Sequence, residues 1–278
     1  MNVLRRPVLH TSAKVLPRLT ARQLARRYLS SSVSLSVDKM TSREGVSFHP
    51  LGQRAGILRF APTAPAPSGP RRILLVHGHD GHVRQFLRLI RTLRAGGNEV
   101  DAVILPGHLT PERTVCGVAD IVGAIADAHR EHGPYDGAIG HCISANAMLF
   151  ALGDGLLTCP RLAFVSMSVD MPFIVRQGAE FYGLTDPCAR HFVESVSELC
   201  APYPLTKPWE PLARARTEPL LVVHARRDTA APVENAEALA AIWPGARLMV
   251  SDTGDHNGIL NVTPAITAIA DFMREETP

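Results

Sequence analysis

The chain has 278 residues, of which 46% are hydrophobic and 20% charged; this suffices for one sizeable core and excludes a fibrous or low-complexity protein. Its net charge of +3 is unevenly spread, because residues 1–37 carry seven Lys/Arg and no acid, leaving 22 basic against 26 acidic residues from position 38 onward. The body is therefore mildly acidic, which gives no footprint for nucleic acid, and no run reaches the roughly 18 apolar residues that a transmembrane helix needs.

The first 41 residues read as a basic N-terminal extension or helix. Within "LPRLTARQLARRYL", Leu19, Leu24 and Leu29 recur at a spacing of five, with Ala21, Ala25 and Tyr28 between them. Two readings stand: a basic helix packed on a cytoplasmic protein, or a mitochondrial transit peptide, for which an Arg- and Ser-rich, acid-free composition is typical. After the Pro/Ala-rich bridge "APTAPAPSGP", the run "RRILLVHGHDG" has the continuous apolar character of a strand buried on both faces. The segment "VRQFLRLIRTLRAGG" follows as a helix with Phe86, Leu89, Ile90 and Leu93 on one face and a stop at Gly96 and Gly97. Then come a strand in "EVDAVILPG", a helix in "GVADIVGAIADAHREHG", and a strand in "YDGAIGHC" that runs directly into the helix "ISANAMLFALGDG". Strands in "PRLAFVSMSV", "EPLLVVHARRD" and "ARLMVSDTGDH" alternate with helices in "ENAEALAAIWPG" and "TPAITAIADFMREE".

This alternation predicts an α/β fold, a mostly parallel sheet flanked by helices, with the active groups at the carboxyl ends of the strands. One section departs from it. Residues 172–217 contain two helical stretches, "PFIVRQGAEFYG" and "DPCARHFVESVSELC", and the Pro-rich return "YPLTKPWEPL", so they read as a small helical cap inserted into a core of residues 42–171 and 218–278. The five cysteines are odd in number and lack CxxC spacing; neither a disulfide framework nor a zinc site is expected, and a reducing compartment fits.

The chemistry concentrates in Gly140-His141-Cys142-Ile143-Ser144, which lies between a strand and a helix. A nucleophile with small neighbours at such a junction sits in a strained turn that exposes its side chain. Here that residue is a cysteine at a helix N-terminus, where the helix dipole favours negative charge on sulfur. Its partners should lie at later strand ends. Asp228 follows "LLVV" and His256 stands in the Gly-bracketed loop after the last strand, with Asp252 and Asp255 as rival acids.

With "LLVHGHDG", "PGH", "GHCISA", "LLVVHARRDTAAP" and "GDHNGIL" in place, residues 42–275 resemble the α/β-hydrolase superfamily, above all its small bacterial members with a short helical cap. The resemblance implies an α/β-hydrolase fold and a Cys142–His256–Asp228 triad. It also implies an oxyanion hole formed by the backbone N–H groups of His79 and Ile143. The sequence departs from the family pattern where Ile104 and Leu109 flank "PGH" and where Ser144 replaces a glycine. His141, Met167, Met171, Phe173 and Phe181 are candidates for a substrate pocket, with Tyr182 and Phe192 in the same region of the cap. His77, His79, His82, His108 and His141 are read as loop residues rather than metal ligands, and no cofactor is expected.

A thiolate attacking an acyl group forms a thioester. Attack on a thioester exchanges one such bond for another, so cysteine favours activated acyl groups. The expected function is therefore an acyl hydrolase working through an acyl-cysteine, a thioesterase for acyl groups carried by coenzyme A or acyl carrier protein. An esterase or lactone hydrolase, an acyltransferase, and a non-catalytic ligand-binding protein of the same fold are the alternatives.

Overall fold

The computed structural model describes residues 11–66, 69–109 and 114–275; the first ten residues of the expected N-terminal extension and the last three of the expected core lie outside them. The helices α1 (Pro17–Tyr28) and α2 (Val37–Thr41) come first and lead into a hairpin of β1 (Val46–Leu51) and β2 (Ala55–Phe60) that the sequence pattern did not indicate. Pro50 lies in β1, opposite Gly56, and β1 is the edge of the sheet, where a residue without an N–H is tolerated.

The six apolar runs all form strands: β3 (Arg72–Val76), β4 (Glu99–Ile104), β5 (Gly137–His141), β6 (Leu162–Val165), β7 (Leu220–Ala225) and β8 (Arg247–Ser251). With the hairpin they make one eight-stranded sheet in the order β1-β2-β4-β3-β5-β6-β7-β8, in which β3 to β8 are mutually parallel. Between them run α3 (Leu87–Ala95), α4 (Val118–His132), α5 (Ile143–Gly153), the cap helices α6 (Met171–Phe181), α7 (Asp186–Leu199) and α8 (Glu210–Arg214), then α9 (Glu234–Ile242) and α10 (Thr263–Arg274). The chain leaves α3 through Gly97, whose φ of +83° is the left-handed conformation expected just beyond a helix end.

Successive residues of a strand point to opposite faces, and here the two faces bury separate cores. Leu74 and Val76 pack with α4 and α5, whereas Ile73 and Leu75 pack with α3 and α10. The short α8, opened by Pro211, lies within what the sequence suggested was only a Pro-rich return.

The basic helix α1 packs on α7 of the cap. Of the expected stripe, Ala21, Leu24 and Ala25 are buried in the helix and Leu29 just beyond it, whereas Leu19 faces solvent at 54% exposure and Thr20 is buried in addition. Two small alanines, both fully buried, allow the close approach of the helices, and the Cys188 thiol bonds the Pro17 carbonyl at 3.5 Å. Among the described residues no helix is long and apolar enough to cross a membrane. All five cysteines are free.

Candidate active site

Cys142 stands between β5 and α5 with φ 55° and ψ −129°, a conformation that a residue with a Cβ rarely adopts. The neighbours explain how it is held. Cys142 N–H donates to the Val165 carbonyl at 2.9 Å, and the Cys142 carbonyl accepts from Ala145 N–H at 3.0 Å. Gly140 is required by contact: a Cβ there would lie 2.9 Å from both Ala145 Cα and Met148 Sδ. Gly78, at the end of β3, is required in the same way, since its Cβ would fall 2.8 Å from Cys142 Cβ.

Ser144 has its own work in this turn. It is fully buried and its hydroxyl donates to the His77 carbonyl at 2.5 Å, tying the exit of β3 to the first turn of α5. A glycine there would leave that buried carbonyl without this donor. His77 itself is kept neutral, with its pKa lowered to about 3 by burial and by nearby His108.

The structure brings His256 and Asp228 together, and Cys142 is among the side chains that act on His256. His256 Nδ1–H donates to Asp228 Oδ2 at 2.8 Å, and Cys142 is the other side chain that acts to raise the His256 pKa. Asp228 is anchored from behind, because Oδ1 accepts from Ala230 N–H at 2.9 Å and Ala231 N–H at 2.8 Å. Burial works to raise its pKa, but the His256 bond and the Ala231 amide outweigh that and hold it below the usual carboxylate value. Burial likewise opposes a charge on His256, yet the Asp228 and Cys142 contacts outweigh it and raise its pKa to about 10. The rival acids are elsewhere: Asp252 pairs with Arg226 on the surface at 2.7 Å, and Asp255 Oδ1 accepts the Gly258 amide at 2.7 Å within its own loop.

The carbonyl of His256 is also fixed. It accepts from His141 Nε2–H at 2.9 Å and from Ser166 Oγ at 3.1 Å. A carbonyl can only accept, so His141 carries its proton on Nε2. Burial lowers its pKa to about 4. His141 is thus a buried prop for the His256 loop, and its assignment to the substrate pocket is corrected.

A cavity of about 200 Å³ opens beside Cys142 between the strand ends and the cap. His79, Cys142 and Ile143 line it, and Met171, Val175 and Val196 contribute apolar walls. Neither His79 N–H nor Ile143 N–H finds an acceptor among the described residues, so two amide donors remain free near the sulfur. Of the expected pocket residues, Met171 lines this cavity, and the others require correction. Met167 is buried in the core beneath it, Phe173 lies outside its lining, and Phe181 is 75% exposed on the outer face of the cap. Sequence reasoning missed Tyr28, Leu29, Cys116 and Cys200, all of which line the cavity. The fair helical stripe around Tyr28 was the available signal, and nothing in it specified which surface it would cover. Among the described residues no group of three or more His, Cys, Asp or Glu side chains could hold a metal ion.

Comparison with known proteins places this geometry on a familiar scaffold. Residues 186–278 match the model of a family described as TAP-like protein, a stretch that includes both Asp228 and His256. A comparison with curated proteins finds no match. Among solved structures the chain is similar to Est1E from Butyrivibrio proteoclasticus, at 17% identity with a TM-score of 0.62, over 83% of this chain and 98% of that one. It is also similar to an esterase from Pyrococcus furiosus (15% identity, TM-score 0.63, covering 90% and 99%) and to a bromoperoxidase from Bacillus anthracis (9%, 0.60, covering 83% and 100%). The chain has the α/β-hydrolase fold, with its sheet mostly parallel and flanked by helices.

Proposed function

We propose that this α/β-hydrolase-fold protein is an acyl hydrolase that works through an acyl-cysteine on Cys142, with thioesters as its substrates. The observation that supports this most directly is the His256 imidazole, bonded to the buried Asp228 carboxylate at 2.8 Å and with its pKa raised by both Asp228 and Cys142. An imidazolium so placed pairs with a thiolate and can give its proton to a departing group.

The proposed steps follow from that arrangement. The Cys142 sulfur attacks the acyl carbonyl, and the oxyanion that develops is received by the free amides of His79 and Ile143. His256 protonates the leaving thiolate as the carbon–sulfur bond to it breaks. The product is an acyl-cysteine and a free thiol. Acylation of Cys142 removes one of the contacts that raise the His256 pKa, so the deprotonated imidazole becomes available as a base. It then takes a proton from water, which attacks the acyl-cysteine, releasing the acid and returning the thiol.

The cavity sets limits on the acyl group. Its lining carries no Asp, Glu, Lys or Arg, and burial lowers the pKa of His79 so that its ring is neutral. An uncharged, apolar acyl group suits it. A cavity of about 150 Å³ accommodates benzene, so the space here admits about six to eight carbons. Coenzyme A or an acyl carrier protein would remain outside, delivering the acyl group through its thioester.

Ester hydrolysis is a second reading, because the similar Pyrococcus furiosus structure is an esterase by name. Turnover of matched acetyl to octanoyl thioesters and oxygen esters separates the two. The proposal expects a higher kcat/KM for the thioester at each chain length and loss of both activities in Cys142→Ala. Faster ester turnover would replace it with the second reading, and equal activity in Cys142→Ala would overturn both.

A further inference from the structure

Beyond α1, residues 29–35 run past the loops that follow β3 and β4, and four separate attachments hold them there. The Leu29 carbonyl accepts from Cys116 N–H at 2.8 Å, and Ser30 forms an isolated antiparallel bridge with Val115. Ser32 donates to the Asp80 carboxylate through both its N–H and its hydroxyl, each at 2.6 Å. Leu35 N–H donates to the His108 carbonyl at 2.8 Å. Asp80 adjoins His79, so this strap is tied directly to the loop that borders Cys142.

Tyr28 stands where the strap begins. Its ring centroid lies 5.3 Å from that of His79 and 5.4 Å, edge-on, from that of Phe192 in the cap. On α6, Gly178 makes room for the phenol ring, since a Cβ there would lie 2.7 Å from Tyr28 Cε2. Tyr28 thus reaches from α1 into the lining of the cavity that His79, Cys142 and Ile143 also line, its ring against that of His79.

We infer that Tyr28 is a specificity-determining residue, its ring walling the space beside the sulfur so that the acyl carbon next to the carbonyl must be slender. This rests on the acyl-cysteine reading above. Linear acyl groups fit along the ring, whereas branched or aromatic ones collide with it. Truncation to alanine removes the phenol from the wall of a cavity of about 200 Å³ and opens room for roughly one further aromatic ring.

Two measurements test this in the full-length protein. In the first, kcat/KM is compared for benzoyl and isobutyryl thioesters against the acetyl thioester. The ratio is expected to rise about tenfold or more in Tyr28→Ala and to stay at the wild-type value in Tyr28→Phe, since one well-placed group in a pocket is worth about 10- to 200-fold. A uniform change across all three substrates would overturn the inference. The second needs no turnover: Cys142 is alkylated with N-methyl and N-phenyl maleimides and read by peptide mass spectrometry, which separates it from Cys116 and Cys200. Tyr28→Ala should speed the phenyl reagent selectively, and equal acceleration of both reagents would again overturn the inference. If wild-type protein shows no acyl turnover, the acyl-cysteine reading fails while the alkylation ratio still decides the role of Tyr28. Should Tyr28→Ala not fold, Tyr28→Leu, which keeps an apolar contact with Phe192, is the variant measured, with the same direction expected.

Discussion

Asp228→Asn is the substitution whose effect follows most closely from the hydrogen bonds around it. In the native protein Oδ1 accepts from the amides of Ala230 and Ala231 while Oδ2 accepts from His256 Nδ1–H. Both amides can only donate, so an asparagine must keep its oxygen toward them and turn its NH₂ toward His256. That NH₂ is a donor, which forces Nδ1 to accept and moves the imidazole proton to Nε2, the wrong tautomer for receiving a proton on the side of Cys142. The charge that raises the His256 pKa is lost in the same step. A tautomer error of this kind costs about 10,000-fold in a serine protease triad, and we expect a loss of about 1,000- to 10,000-fold here, or ~4–5.5 kcal/mol of transition-state stabilisation. The assay is the single-turnover rate of Cys142 acylation by a short acyl thioester, with thermal unfolding confirming that the variant is folded. A loss below about tenfold, well under the 1.4 kcal/mol that such a factor represents, would refute the assignment of Asp228 as the partner of His256.

Three further outcomes are expected. Ser144→Ala leaves the buried His77 carbonyl without its hydroxyl donor and should cost about 1–3 kcal/mol, seen as a lower denaturant midpoint with unchanged m-value. Gly78→Ala introduces a Cβ 2.8 Å from that of Cys142, so acylation should fall sharply while the fold, checked by circular dichroism, survives; wild-type acylation would show that the two turns do not press on each other. The pH dependence of stability has two limbs. His256 has a raised folded-state pKa, so its contribution is full below 6.5 and is lost as pH rises toward 10, whereas Asp228, with a lowered pKa, contributes above 3.8 and loses that contribution as pH falls below it. In Cys142→Ala the alkaline limb should move toward neutral pH, because one of the two contacts raising the His256 pKa is gone; denaturant titrations across pH check both limbs.

Much of this fold is written in local patterns. The six parallel strands are short continuous apolar runs because both faces of each are buried, as Leu74 and Leu75 on opposite cores illustrate. The turn around Cys142 was legible for a similar reason, since its strained backbone requires Gly140 and Gly78 in fixed places. The hairpin escaped notice because β1 is an edge strand with one buried side chain, Leu51, and a proline, so it carries little apolar signal. Pocket residues in the cap were misplaced for another reason. Helical periodicity tells that a helix has a buried face but not what that face covers, and Phe181, the most prominent aromatic, points to solvent. Tyr28 was invisible as a pocket residue because its contacts with His79, Phe192 and Gly178 span distant segments of the chain. The role of Ser144 was equally hidden, its partner being the His77 carbonyl 67 residues away.

The central claim is that Cys142 carries the acyl group, and the most direct measurement is peptide-level mass spectrometry of protein quenched with acid milliseconds after mixing with a short acyl thioester. The account predicts an acyl adduct confined to the peptide bearing Cys142, formed at up to one equivalent, absent in Cys142→Ala, and decaying as free acid appears. An adduct on another cysteine, or acid released at wild-type rate with Cys142 replaced, would contradict it.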